Sequence, residues 1–300
     1  MAQLAVPFAA MGCPCEFKLE GDADALRAVA AAARAEVDRL ELKYSHYRDD
    51  SLVAQFGACA DTGQSCEVDE ETANLLDFAA ALTEQSDGRF DLTAGVLTKL
   101  WDLRDDRLPS AAAIAAARAR CGWRDLVRWE RPRLAFARSG VRLDLGGLVK
   151  EYAADRAAQV FREHGVRHGV VDLGGDLALI GAHADGTPWR AGIKAPRTPQ
   201  EAFATIELTR GGLATSGDYE RSRVVDGRRY THIVDVRNGE PVQSFASVSV
   251  LADTCLIAGA AATLAILFGE REGDAWLQQL GLPYVAVNAQ GRVSGTLANT

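Results

Sequence analysis

Between residues 170 and 250 the chain breaks into six short strand-forming segments, at 170–180, 189–193, 204–208, 213–216, 232–235 and 246–250, with turn residues between them. They do not alternate with helices in a clean βαβ repeat, so a doubly wound parallel sheet is not the expected product. Helical patterns lie on both sides, at 22–43, 68–86, 110–120 and 148–164, then at 253–268 and about 272–279. Asp22 and Asp24 can cap or charge the first of these, and Pro109-Ser110 caps the third. The second ends at Asp87-Gly88, where glycine can supply a left-handed cap. Residues 133–145 read as a strand pair turning at 138–140, and 284–287 and 291–293 as closing strands. The expectation is an α+β fold: one domain over 1–300, with a mixed, largely antiparallel sheet and flanking helices.

Composition narrows the function classes. The chain is 48% hydrophobic and 25% charged, enough for a sizeable core. A net charge of −8 argues against broad nucleic-acid binding, which needs a basic footprint. No run reaches the ~18 apolar residues of a membrane span. Residues 1–17 lack the basic region of a secretory signal, so a cytoplasmic protein is expected, or a periplasmic one if a leader was removed. The six cysteines, at 13, 15, 59, 66, 121 and 255, form no Cys-x-x-Cys pair and no zinc knuckle, and are expected to be reduced thiols.

Two segments echo one another, LDLGGL at 143–148 and VDLGGDL at 171–177, each a strand followed by Gly-Gly. Their flanks do not repeat, so they do not mark a repeat array. Gly146-Gly147 opens the helix beginning near Leu148; free N–H groups there would suit a phosphate, and Lys150 would add charge. A plain tight turn accounts for either segment alone. Neither matches the dinucleotide fingerprint or the P-loop. His232-Ile233-Val234-Asp235 adds a titrating pair.

These motifs, taken in order, resemble the ApbE family of FAD:protein FMN transferases. The likeness begins at Met11-Gly12 and runs through the 44–51 stretch YSHYRDDS, Gly88-Arg89-Phe90-Asp91-Leu92-Thr93 with Leu100-Trp101, and LDLGGLVKEYAAD at 143–155. It continues through the Gly-Gly-Asp strand ending at Asp176, LATSGDYER at 213–221 and YTHIVDVRNGEP at 230–241. The resemblance implies transfer of FMN from FAD to a Thr or Ser hydroxyl of a target flavoprotein, with release of AMP. It implies FAD contacts at Met11, Tyr47, Gly88, Arg89, Phe90, Asp91, Thr93, Gly146, Lys150, Tyr152, Ser216, Gly217 and Ile233, and catalytic roles for His232 and Asp235. Core packing is the competing reading for Tyr47 and Tyr152, and a structural bond to Asp235 for His232. Other activities to weigh are FAD binding without transfer, and FAD hydrolysis to FMN and AMP.

Departures from the family pattern concentrate on the metal. The resemblance implies Mg²⁺ bound by an Asp and a Thr four apart on one helix, with a backbone carbonyl. Here Thr263 and the carbonyl of Val149 stand in place, but Gly259 occupies the Asp position. A weakened Mg²⁺ site is expected, with Asp253 as a possible substitute. Cys13, Glu151 and Val236 replace the family's Thr, Gly and Pro.

Overall fold

The computed structural model describes residues 2–101, 107–196, 198–218 and 222–298. Its frame is an antiparallel sheet of eight strands whose spatial order is their chain order. These are β1 (Ala2–Ala10), β2 (Cys13–Gly21), β3 (Gly169–Leu173), β4 (Asp176–Gly181), β5 (Gly212–Gly217), β6 (Phe245–Ala252), β7 (Tyr284–Asn288) and β8 (Val293–Ser294). Between β2 and β3 run α1 (Ala23–Tyr44), α2 (Leu52–Thr62), α3 (Glu70–Gln85) and α4 (Val149–Glu163). Between β6 and β7 come α5 (Cys255–Phe268) and α6 (Glu270–Leu280). The α+β expectation holds.

Strand periodicity sorts the side chains onto two faces. Val171, Ala214, Val248 and Ala286 join one apolar core with Leu40 of α1, Phe161 of α4 and Ala258 of α5. Their neighbours Val170, Leu213 and Val285 join a second core with Ile193 and Ile206, from the hairpin Trp189–Ala195/Thr198–Leu208. The sheet is thus covered on both faces.

Caps fix the helix starts as their sequences suggest. Asp22, Asp69 and Ser110 accept from the backbone N–H groups of Ala25, Thr72 and Ala113. The cap of α5 comes partly from α4: both Asp155 carboxylate oxygens accept backbone bonds, from Cys255 and Leu256, at 2.9 Å each. That clamp sets the register of the two helices. One turn before Asp155 stands Glu151, and one turn after Cys255 stands Gly259.

Three expectations are corrected. The strand at Arg133–Phe136 pairs with Val127–Glu130 before it, across Arg131-Pro132, and not with 141–145. Residues 142–144 instead lie against 92–95, where Gly95 permits the approach: a Cβ there would sit 2.8 Å from the Arg142 carbonyl oxygen. Second, Cys59 and Cys66 form a disulfide; the left-handed Gly63 ends α2 and turns the chain back, leaving their Cα atoms 6.4 Å apart. Third, the β1–β2 hairpin and α2 were not anticipated.

Candidate functional site

Two strand-end turns meet the start of α4. Met11-Gly12 joins β1 to β2 with φ of 51° and 71°, and Gly174-Gly175 joins β3 to β4 with φ of 66° and 92°. Pairing of β2 with β3 sets the turns side by side, and the Gly174 N–H donates to the Pro14 carbonyl. A Cβ on Gly174 would lie 2.7 Å from Cys13 Sγ and 4.0 Å from Lys150 Nζ, so glycine's freedom and small size are both used there.

From Lys150 a chain of contacts crosses the sheet. Lys150 Nζ lies 2.7 Å from Asp176 Oδ2. The other oxygen of Asp176 accepts from the Thr215 N–H on β5, and the next residue, Ser216, shares a 2.9 Å hydroxyl contact with Thr263 of α5. Burial alone would lower the Lys150 pKa, but the Asp176 and Glu151 charges outweigh it and hold the ammonium above its usual range. Gly217 closes β5 opposite Ser247. Tyr219, Glu220 and Arg221 of the same motif lie outside the described residues.

The 143–148 turn is differently built from its expected form. Asp144 accepts the Gly146 N–H at 2.8 Å, while the Leu148 and Val149 N–H groups both donate to the Leu145 carbonyl. These three donors are spent within the turn, so a phosphate at this helix start could use only the remaining N–H groups. Asp144 also accepts from Thr98 and lies 3.4 Å from His46 Nδ1. Burial opposes its charge, yet His46, the Gly146 N–H and Thr98 hold the carboxyl below the usual range. His46, not singled out from sequence, therefore anchors this turn. Its ring lies 3.8 Å from that of Tyr47, which is 77% exposed, so core packing does not account for Tyr47.

Around Phe90 the expected contact residues separate into two groups. Phe90 itself approaches the turn: a Cβ on Gly147 would be 3.7 Å from its ring. Gly88 caps α3 in the left-handed region, and its N–H donates to Thr83. Arg89 is held by Glu272 and by the Phe268 ring, 4.9 Å from its guanidinium carbon. Asp91 is buried and accepts from the Thr93 N–H and hydroxyl and from the Trp123 N–H. Thr93 is fully buried and its hydroxyl accepts the Gly122 N–H. Asp91 and Thr93 thus shape the loop from beneath. Tyr152 is half-buried and donates its hydroxyl to Glu71 of α3.

His232 is exposed between buried Thr231 and Ile233, and the Ile233 N–H donates to the Thr231 hydroxyl. Asp235 is buried, and both its oxygens accept from Arg237, one from the guanidinium at 2.9 Å. These bonds, with that from the Gly239 N–H to the Asp235 carbonyl, hold the 235–239 turn. The next residue, Val236, donates its N–H to the Arg89 carbonyl, which ties the His232 segment to the Phe90 loop. A cavity of about 600 Å³ lies elsewhere, against Phe203, Ile206, Leu251 and Leu297 of the hairpin face.

Among the described residues no cluster of three His, Cys, Asp or Glu could hold a metal, so a cation site here must mix donor types. A hard cation prefers such a set: carboxylate, hydroxyl and carbonyl oxygens. Val149 and Thr263 are joined by Glu151, which the sequence marked only as a departure from pattern. Glu151 is buried and its Oε2 has no hydrogen-bond partner. Burial and the adjacent Asp176 charge push its carboxyl up to about 8, against the pull of Lys150. An orphaned buried carboxylate beside Gly259, one helical turn before Thr263, fits a divalent cation. Asp253 is exposed and precedes α5, six residues before Gly259.

Comparison with known proteins supplies context. The model of the ApbE family matches residues 11–286. The chain is 30% identical over 281 residues to the FAD:protein FMN transferase of Klebsiella pneumoniae, covering 91% of this chain and 79% of that one. It superposes on the crystal structure of the ApbE protein of Thermotoga maritima with a TM-score of 0.89 at 31% identity, covering 98% and 97% of the two chains. Against the apo flavinyl transferase ApbE of Pseudomonas stutzeri the TM-score is 0.87 at 31% identity, over 99% and 96%.

Proposed function

The chain belongs to the ApbE family, and from that premise we propose that it is an FAD:protein FMN transferase acting on a target flavoprotein. One observation carries the reading. Cys13, Lys150, Ser216 and Thr263, from four separate segments, are linked through contacts at the meeting of two glycine turns and a helix start. Exposed Tyr47 and the Phe90 ring flank the adjacent 146–147 turn. A flat flavin and an anionic pyrophosphate need such a mixture of aromatic surface and fixed positive charge.

The reaction joins an acceptor Thr or Ser hydroxyl oxygen to the FMN phosphorus and breaks the pyrophosphate bond, and AMP leaves with the bonding electrons. The hydroxyl proton must go to a base. His232 is exposed and titratable, and is the residue assigned to take it. Lys150, kept cationic by Asp176, offsets pyrophosphate charge. Buried Asp235, paired with the exposed Arg237 guanidinium, keeps the His232 segment in place. Thr263, the Val149 carbonyl and a carboxylate would hold Mg²⁺, which would supply further neutralisation of the phosphate charge.

Incubation with FAD and an acceptor flavoprotein, followed by mass spectrometry and AMP quantification, tests this. Stoichiometric AMP and covalent FMN on the acceptor are expected. Free FMN with AMP would identify a pyrophosphatase, and FAD retention without AMP a binding protein.

A further inference from the structure

Resting on the transferase reading, we propose that Glu151 provides the carboxylate ligand of the divalent-cation site, reaching from α4 into the space that a side chain at position 259 of α5 would fill. The two positions compete for one volume. A Cβ on Gly259 would lie 2.6 Å from Glu151 Cγ, 3.0 Å from Cδ and 3.1 Å from Oε1. Position 259 is therefore glycine because Glu151 is there, and the carboxylate oxygen arrives beside Gly259 from the facing helix. Thr263 stands one turn further along α5 on the same face.

The register is not accidental. Asp155 clamps the first N–H groups of α5, and a step of four residues along each helix brings Glu151 to Gly259. The extra methylene of Glu relative to Asp suits the longer reach between helices.

The local charge calls for a cation. Glu151 is 9% exposed and Asp176 2% exposed. Glu151 Oε2 lacks a hydrogen-bond partner. Lys150 meets Asp176 as an ion pair at 2.7 Å, which leaves Glu151 without a neutralising side chain of its own. A buried carboxylate is costly unless it is paired, protonated or bound to a metal. Its oxygen, the Thr263 hydroxyl and a backbone carbonyl form a hard donor set that suits Mg²⁺ or Mn²⁺.

Mn²⁺ retention by the whole protein, read by loss of the free-ion electron paramagnetic resonance signal with and without FAD, tests the assignment apart from turnover. The unmodified protein should bind Mn²⁺ in competition with Mg²⁺. Glu151→Gln should weaken binding by at least the about tenfold that loss of even an outer partner costs, while Asp253→Asn should leave it unchanged. Gly259→Asp alone should lower the melting temperature through the clash. The exchange variant Glu151→Gly/Gly259→Asp should restore both melting temperature and Mn²⁺ binding, and it keeps the test open if Glu151→Gln folds poorly. Equal Mn²⁺ affinity in Glu151→Gln, or a folded exchange variant that binds none, overturns the proposal. Absence of binding in the unmodified protein does so too, and leaves Glu151 and Asp176 sharing a proton. AMP release without Mn²⁺ retention would spare the transferase reading and sink this one; retention without AMP release would do the reverse.

Discussion

His232 and Asp235 sit three residues apart, yet one is exposed and the other is buried against Arg237. That division predicts different phenotypes. His232→Ala should lower FMN transfer by about 10²–10⁴-fold with little change in FAD affinity, because a general base acts in the transition state. Asp235→Ala should instead lower the melting temperature, since it strands a guanidinium and loosens the turn. Steady-state transfer rates beside flavin-fluorescence titrations would separate the two; equal losses of binding and turnover in His232→Ala would assign it to positioning. At this scale the sequence names candidate site residues but not their environments. Nothing in the Asp91 or Thr93 codons of the pattern says that their oxygens are used up by Trp123 and Gly122. Likewise Glu151 and Gly259, 108 positions apart in the chain, look like unrelated departures until the helices face each other.

Helix α5 owes its placement to another element. Its own Thr254 accepts the Ile257 N–H, while Asp155 of α4 takes the two preceding ones. Asp155→Ala should therefore cost more than a simple cap, whose loss is about 1 kcal/mol, because two donors at a packed helix start lose their partner. Denaturant unfolding would measure it, and a loss no greater than that of Thr254→Ala would deny the clamp its part in setting the register. Elements with strong local signals were legible: α1, α3 and α5 begin within two residues of their expected starts. Those resting on pairing were not. β1 is legible as a strand only once β2 pairs with it across Met11-Gly12, two residues in left-handed conformations. Arg131-Pro132 and 138–140 are turn signals of similar strength, so the local sequence does not decide on which side Arg133–Phe136 finds its partner. α2 is short and carries an internal Gly57, which weakens its helical signature.

Across the whole molecule, the site stands where α4 and α5 meet strand-end turns of the sheet, and a separate ionic network ties α1 to α3 and α4. Arg39 and Lys43 of α1 both bind Glu71 of α3, and Tyr152 of α4 donates to the same carboxylate. Burial would raise the Glu71 pKa, but the hydrogen bonds from Arg39 and Lys43 overcome it and lower it to about 2. For Asp69 burial likewise opposes, and the bonds from Lys43 and Thr72 bring it to about 2. Both folded values lie below the unfolded ones, so the unfolded chain binds the extra protons on acidification. Stability contributed by these groups is full above about pH 4.3, the unfolded Glu value, and is lost as pH falls towards 2. The unfolding free energy should thus fall between about pH 4.5 and 2 by up to about 1.4 kcal/mol per pH unit for each linked proton. Glu71→Gln should lower stability near neutrality and flatten that acid limb by as much as one proton, because its side chain no longer titrates. Urea unfolding at a series of pH values, run on both proteins, measures the two slopes. Parallel acid limbs would mean that Glu71 is not coupled to folding as its partners Arg39 and Lys43 indicate.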